Sequence, residues 1–231
     1  MAESNTFILM RIYKAILFTF LFLFIGLFWG YEIWNAIKQH WLLFIHWYNS
    51  TRMSYYPWYL WITVGASVFP IMNRYFVKNM ELIKTFTHEL THTITNLLFF
   101  RRVHSFHASE HEGGGVWSSG NNKLRFMTSL APYCFPIYTI PLLMFRCMVN
   151  SEFLPIIDVF IGFSIGIHLV CFIEQTRNYQ SDINQYPLYF SYVYILSIWL
   201  FDISLILYSF LPKTNIFLAF RIYALDLWNL I

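Results

Sequence analysis

Two histidines four residues apart, with a glutamate after the first, form the pattern His88-Glu89-Leu90-Thr91-His92. On a helix, residues four apart share a face, so two imidazoles stand side by side, as a tetrahedral Zn2+ site requires. Glu89 follows the first of them and is placed to act as general base on a metal-bound water. Thr87 and residues 90–98 contain no Gly or Pro, which suits a helix. In a shuffled chain of this composition the pattern arises only roughly 0.01 times. The competing reading is a helix whose polar residues merely pair with one another. Three ionisable groups in an apolar segment are costly, and such groups usually mark function.

A catalytic zinc takes a third protein ligand and keeps a fourth position open. The extension that would supply a histidine at position 98 is absent, since Thr95 and Leu98 stand where Gly and His are needed. His104, His107 and His111 have ligand-like spacing, and Glu174 and Asp182 are carboxylates further along. The residues alone leave these open.

The elements that must hold such a site are membrane helices. Hydrophobic residues make up 58% of the 231-residue chain and charged residues 12%, against about 25% charged in ordinary soluble domains. That is too little polar surface for a soluble fold. Uncharged blocks at 15–31, 53–73 and 126–145 have lengths near the roughly 20 residues that cross a bilayer as a helix. Further apolar blocks run over 155–173, which carries Asp158 and His168, and over 187–211. Residues 80–100 hold the motif, and 216–231 form a shorter tail suited to the interface. Tyr55, Tyr56, Trp58, Tyr59 and Trp61 form an aromatic belt at the start of the second block. Pro132, Pro136 and Pro141 predict a kinked helix over 126–145. Gly162 and Gly166 offer a small face for close helix contact. The fold class expected is an all-α polytopic membrane protein of about six transmembrane helices, with a small membrane-associated β-hairpin insert. Residues 1–79 carry two N-terminal spans, 80–186 the core with the motif, and 187–231 a last span and the tail.

The hairpin is the polar insert 101–125. Residues 103–108 partly alternate, Gly113-Gly114-Gly115 reads as a turn, and Val116-Trp117-Ser118-Ser119 follows as a second strand. If each block crosses once, the insert and residues 174–182 emerge on the same side. His92 lies eight residues from Phe100, about 12 Å from that end at ~1.5 Å per residue. Lys and Arg are balanced between the two sides, so the positive-inside rule does not orient the chain.

These features together resemble the site-2 protease family of intramembrane zinc metalloproteases, in its smaller, bacterial-type branch. The similarity rests on the His88–His92 motif, on the glycine-containing insert at 103–120, and on Leu130-Ala131-Pro132-Tyr133-Cys134-Phe135-Pro136. It also rests on Ser181-Asp182-Ile183, and it covers roughly residues 80–186. The Gly that follows the aspartate in better-known members is Ile183 here, and the usual Gly before Tyr133 is Pro132. The resemblance implies Asp182 as the third zinc ligand beside His88 and His92, with Glu89 as catalytic base. It implies a membrane protein as substrate and the plasma membrane of a bacterium as location. An edge strand of the insert is suited to pair with an unwound substrate.

The net charge of +3 is spread along the chain, with no basic run, so nucleic acid is not an expected partner. Cys134, Cys147 and Cys171 lie in apolar blocks without a CxxC spacing and are expected as buried hydrophobes. Asn49-Ser50-Thr51 matches a glycosylation sequon, too common a pattern to carry weight. Two other classes fit the same zinc core: an enzyme acting on a lipid or prenylated substrate, and a non-catalytic scaffold or transporter with an intramembrane His/Glu cluster.

Overall fold

The computed structural model describes residues 2–49, 57–109, 113–120, 124–177, 179–211 and 214–230. Tyr55, Tyr56, His111 and the Ser50-Thr51 part of the sequon lie outside them. Helix α1 is a single run of 48 residues, Ala2–Asn49. The expected first span of 15–31 is thus only its middle. No proline interrupts the segment, and apolar residues continue past Glu32 through Trp34, Ile37 and Leu42, so nothing stops the helix. Helices α2 (Trp58–Tyr75) and α3 (Val77–Leu98) follow, then strands β1 (Arg102–Ser109) and β2 (Gly113–Ser119). Helices α4 (Arg125–Leu130), α5 (Thr139–Arg146), α6 (Leu154–Gln175), α7 (Ser181–Asn184), α8 (Leu188–Ser209) and α9 (Ile216–Leu230) complete the chain.

Among the described residues, three helical stretches are long and apolar enough to cross a membrane: Ile12–His46, Ser151–Gln175 and Leu188–Ser209. The expectation of about six spans goes beyond these three. The block 126–145 is not one kinked helix. It breaks into α4, a 3-10 turn at Ala131–Tyr133, and α5. The prolines account for this, because each removes a helix-propagating N–H. The turn closes instead through Cys134 N–H donating to the Ala131 carbonyl at 3.0 Å.

Strands β1 and β2 form an antiparallel hairpin, with Ser109 opposite Gly113 and Arg102 opposite Ser119, and an irregularity between Val103 and Ser105. The hairpin packs on α3. The three glycines belong to β2, not to the turn as the sequence suggested.

The chain gathers into two compact units. One comprises Met1–Leu27, Met72–Phe135 and His168–Trp199, and contains α3, the hairpin, α4 and α7. Its apolar core is Leu130, Tyr133, Cys134, Ile183, Phe190, Tyr194 and Ile195. Around it the rings of Phe22, Phe126, Phe190 and Tyr194 interlock at centroid distances between 4.9 and 6.3 Å, within the range where edge and offset packing of aromatics is favourable.

The other unit comprises Phe28–Ile71, Pro136–Ile167 and Leu200–Ile231. There Gly162 and Gly166 do form a close contact, and the partner is α2. A Cβ on Gly162 would lie 2.1 Å from the Ile62 carbonyl oxygen, and one on Gly65 would lie 2.0 Å from that of Val159. Asp158, fully buried, accepts from Arg146 Nε at 2.7 Å. No cysteine is bonded to another; Cys134 and Cys171 are buried as expected, whereas Cys147 is exposed.

Replacing Gly162 by Leu should therefore push α2 and α6 apart. Overpacking of this kind costs about 1–3 kcal/mol, and more where backbone must move. The thermal midpoint in detergent is expected to fall by several degrees. The control is Gly30→Ala, whose added methyl meets nothing within 4 Å and which should melt no lower than wild type. A Gly162→Leu protein as stable as wild type would show that the contact is dispensable.

Candidate metal centre

Helix α3 presents His88 and His92 one turn apart, with ring centroids 4.9 Å apart and planes at 76°. Asp182, the second residue of the short helix α7, faces both. Its Oδ2 is 3.2 Å from His92 Nε2 and 3.6 Å from His88 Nε2. One donor atom from each of the three residues lies within 4.8 Å of the others.

The opposite ring nitrogens are engaged elsewhere. His88 Nδ1 lies 3.2 Å from Gln175 Oε1, and His92 Nδ1 lies 2.9 Å from the Thr128 carbonyl oxygen. Both partners are acceptors, so each Nδ1 carries the proton and each Nε2 presents its lone pair. Two imidazole lone pairs and a carboxylate oxygen thus converge on one point. Such a convergence is unfavourable unless a proton or a metal cation sits in it, and three donors aimed at one point suit the metal. Two ligands each about 2.0–2.1 Å from a tetrahedral zinc lie about 3.3 Å apart, close to the 3.2 and 3.6 Å that separate the two histidines from Asp182. The residues fit a divalent metal of zinc's size and ligand preference.

Glu89 is buried and contacts Gly114 of β2. A Cβ on Gly114 would stand 2.4 Å from Glu89 Cγ and 2.6 Å from its Oε1. This is why glycine occupies the strand: the main chain of β2 runs directly against the Glu89 side chain. Glu89, His92 and Asp182 line a cavity of about 230 Å³. Gly114, Ser118, Asn96, Arg101, Arg125, Ser129 and Gln185 contribute to the remaining wall.

Polar side chains on α3 are satisfied internally. Thr91 Oγ1 donates to the Thr87 carbonyl and Thr95 Oγ1 to that of Thr91, each at 2.7 Å. Asn96 Nδ2 donates to the His92 carbonyl at 2.7 Å, while Asn96 Oδ1 accepts from Arg101 Nε at 2.8 Å and from Ser118 Oγ at 3.1 Å. Tyr133 is fully buried with its ring edge-on to His88, centroids 5.3 Å apart. Its carbonyl accepts from Trp199 Nε1 at 3.0 Å.

The structure does not bring the other candidate ligands to this point. Glu174 accepts from Lys84 Nζ at 2.6 Å and from Asn73 Nδ2 at 2.7 Å. It sits one position before Gln175 on α6, about 100° around the helix, so Gln175 faces His88 and Glu174 faces Lys84. His104 and His107 are exposed on β1, with His104 Nε2 2.6 Å from Ser119 Oγ, and neither joins the cluster. His111 lies outside the described residues. Sequence reasoning missed Gln175, Thr128, Asn96 and the placement of Gly114. Only the triple glycine carried a signal, and it was assigned to the turn.

A family model described as Peptidase M50B-like matches residues 61–224. No curated protein and no solved structure matches the chain. The family match covers more than two thirds of the sequence and includes α3, the hairpin and Asp182. With its three long apolar helices, the chain is an integral membrane protein, and it belongs to the Peptidase M50B-like family, the site-2 proteases, whose members are metal-dependent.

Proposed function

We propose that this protein is an intramembrane zinc metalloprotease that hydrolyses peptide bonds in membrane-embedded or membrane-adjacent protein substrates. The observation that carries the reading is the convergence of His88 Nε2, His92 Nε2 and Asp182 Oδ2 on one point. Glu89 stands beside it in the same polar cavity. Two imidazoles and one carboxylate are the ligand set of several zinc hydrolases, and they leave room for a fourth group.

When bound there, zinc supplies Lewis acidity towards a water and the scissile carbonyl. The protein does the rest. Gln175 and the Thr128 carbonyl fix the orientation and tautomer of the two histidines. Glu89 takes a proton from the attacking water on its carboxylate and delivers it to the leaving amine nitrogen. Gly114 holds that carboxylate in place by contact with the β2 main chain. Among the described residues, β2 pairs with β1 alone, along one edge. An extended substrate strand added to its other edge would present its peptide groups to the cavity.

Elemental analysis of the detergent-purified protein should give about one zinc per chain. His88→Ala and Asp182→Ala should lose it, Glu174→Ala should keep it, and Gln175→Ala should bind it roughly 10–100-fold more weakly. Hydrolysis is read by mass spectrometry on a library of single-span membrane segments reconstituted with the enzyme in lipid. Glu89→Gln is expected to keep its zinc and to cleave about 10²–10⁴-fold more slowly. Cleavage by Glu89→Gln at the wild-type rate would sink the proposed mechanism. A wild-type protein without zinc would favour a non-catalytic role, and zinc with activity only on lipid or prenylated compounds would favour the other enzyme class.

Gly114→Ala tests the positioning separately. The new methyl must displace Glu89, and a misplacement of about 1 Å costs on the order of 100-fold in rate. Zinc content should not change, and activity should fall by that order. Unaltered activity would mean that β2 does not set the position of Glu89.

A further inference from the structure

The walls of the catalytic cavity carry information about the substrate. Arg101, buried, and Arg125, exposed at the start of α4, both line it together with Glu89 and Asp182. Among the described lining residues the two cations and two carboxylates cancel, so a divalent metal at the centre leaves this lining net positive. Arg101 is held in place because Asn96 ties its Nε to both the motif helix and β2. Arg125 also lines a second cavity of about 560 Å³ along β2, with Ser105, Trp117 and Ser118. A fixed cation and a reachable one in a confined polar space favour an anionic group.

A third cavity lies in the same unit of the fold. It has a volume of about 500 Å³ and is lined by Phe18, Phe126, Tyr186, Pro187 and Phe190, with Lys14 and Ala15 also on its wall. Gln185 lines both this apolar cavity and the catalytic one. A polypeptide leaving the metal centre past Gln185 therefore passes from a cationic, polar wall to an aromatic one. Because the two cavities share Gln185 as a wall, one extended segment reaches both with nearby residues.

Resting on the protease reading above, we propose that the enzyme selects a polypeptide carrying an acidic side chain beside the scissile bond and a bulky apolar side chain a few residues away. Arg125 and Arg101 read the first, and the aromatic cavity across Gln185 reads the second. This is the composition found where a membrane segment ends in an acidic flank.

The test uses the zinc-loaded, full-length enzyme in lipid and a library of single-span segments randomised around the boundary. Wild type is expected to enrich Asp and Glu at one position next to the cut at least tenfold over Lys and Arg, and Phe, Trp or Leu a few residues further on. Arg125→Glu should reverse the charge preference at that position while its zinc content stays at wild type. Ala15→Trp, which fills the apolar cavity, should lose the enrichment for large apolar residues and retain that for acids. Products without any acidic enrichment would overturn this inference but leave the protease reading standing. So would a cleavage rate that responds to Arg125→Glu only through the anionic lipid content, because that would assign Arg125 to a headgroup. No products from zinc-loaded wild type would overturn both.

Discussion

Three electron-rich atoms, His88 Nε2, His92 Nε2 and Asp182 Oδ2, are held within 4.8 Å of one another by residues 94 positions apart at the extremes. With each Nδ1 proton directed to Gln175 or to the Thr128 carbonyl, both Nε2 lone pairs face the Asp182 carboxylate. A cation resolves that convergence. The helices and turns around the centre each hold one of its parts. Helix α3 sets the spacing of the histidines, α6 delivers Gln175, α4 delivers the Thr128 carbonyl, and α7 delivers Asp182. Binding a metal is therefore coupled to docking four segments of the chain.

A helix as polar as α3 is a liability in an apolar setting, where each unsatisfied group costs several kcal/mol. The structure meets this locally. Threonine hydroxyls turn back onto the helix carbonyls. Lys84, itself buried, is clamped between the partly exposed Glu81 and Glu174 at 2.6 Å each, so that its charge is compensated twice and loss of one carboxylate still leaves it a partner. The same device explains why Glu174 is unavailable to the metal. It already compensates Lys84, and its neighbour Gln175 takes the position facing His88.

The sequence was most legible where chemistry and period coincide. A histidine pair at helical spacing fixes its own geometry, so His88, His92 and Glu89 fall together without reference to the rest of the chain. Asp182 stood in the sequence as one candidate beside Glu174 and the insert histidines, and only the resemblance singled it out, because no periodicity links α3 to α7. Long apolar blocks announced α6 and α8, and Gly162 and Gly166 announced a close contact without naming α2 as partner. Prolines announced a break at 126–145 but not its extent, which depends on Ala131–Tyr133 closing as a 3-10 turn. The triple glycine misled for a physical reason. Glycine serves turns through positive φ and serves strands through the space it leaves. At Gly114 the second need applies, and it becomes visible only once Glu89 is seen beneath the strand.

That placement also constrains how a substrate is presented. On the proposed mechanism the substrate pairs as a third strand beyond β2, and neighbouring strands lie about 4.7–4.9 Å apart. The distance from Glu89 to the scissile peptide is then set by main-chain hydrogen bonding rather than by substrate side chains. Side chains decide register instead, because a slip of one residue turns each of them to the opposite face. Arg125, which lines cavities on both the catalytic side and the outer length of β2, stands where that register is read. A protease built this way fixes the depth of the main chain through β2 and leaves the choice of bond to the side chains that set the register.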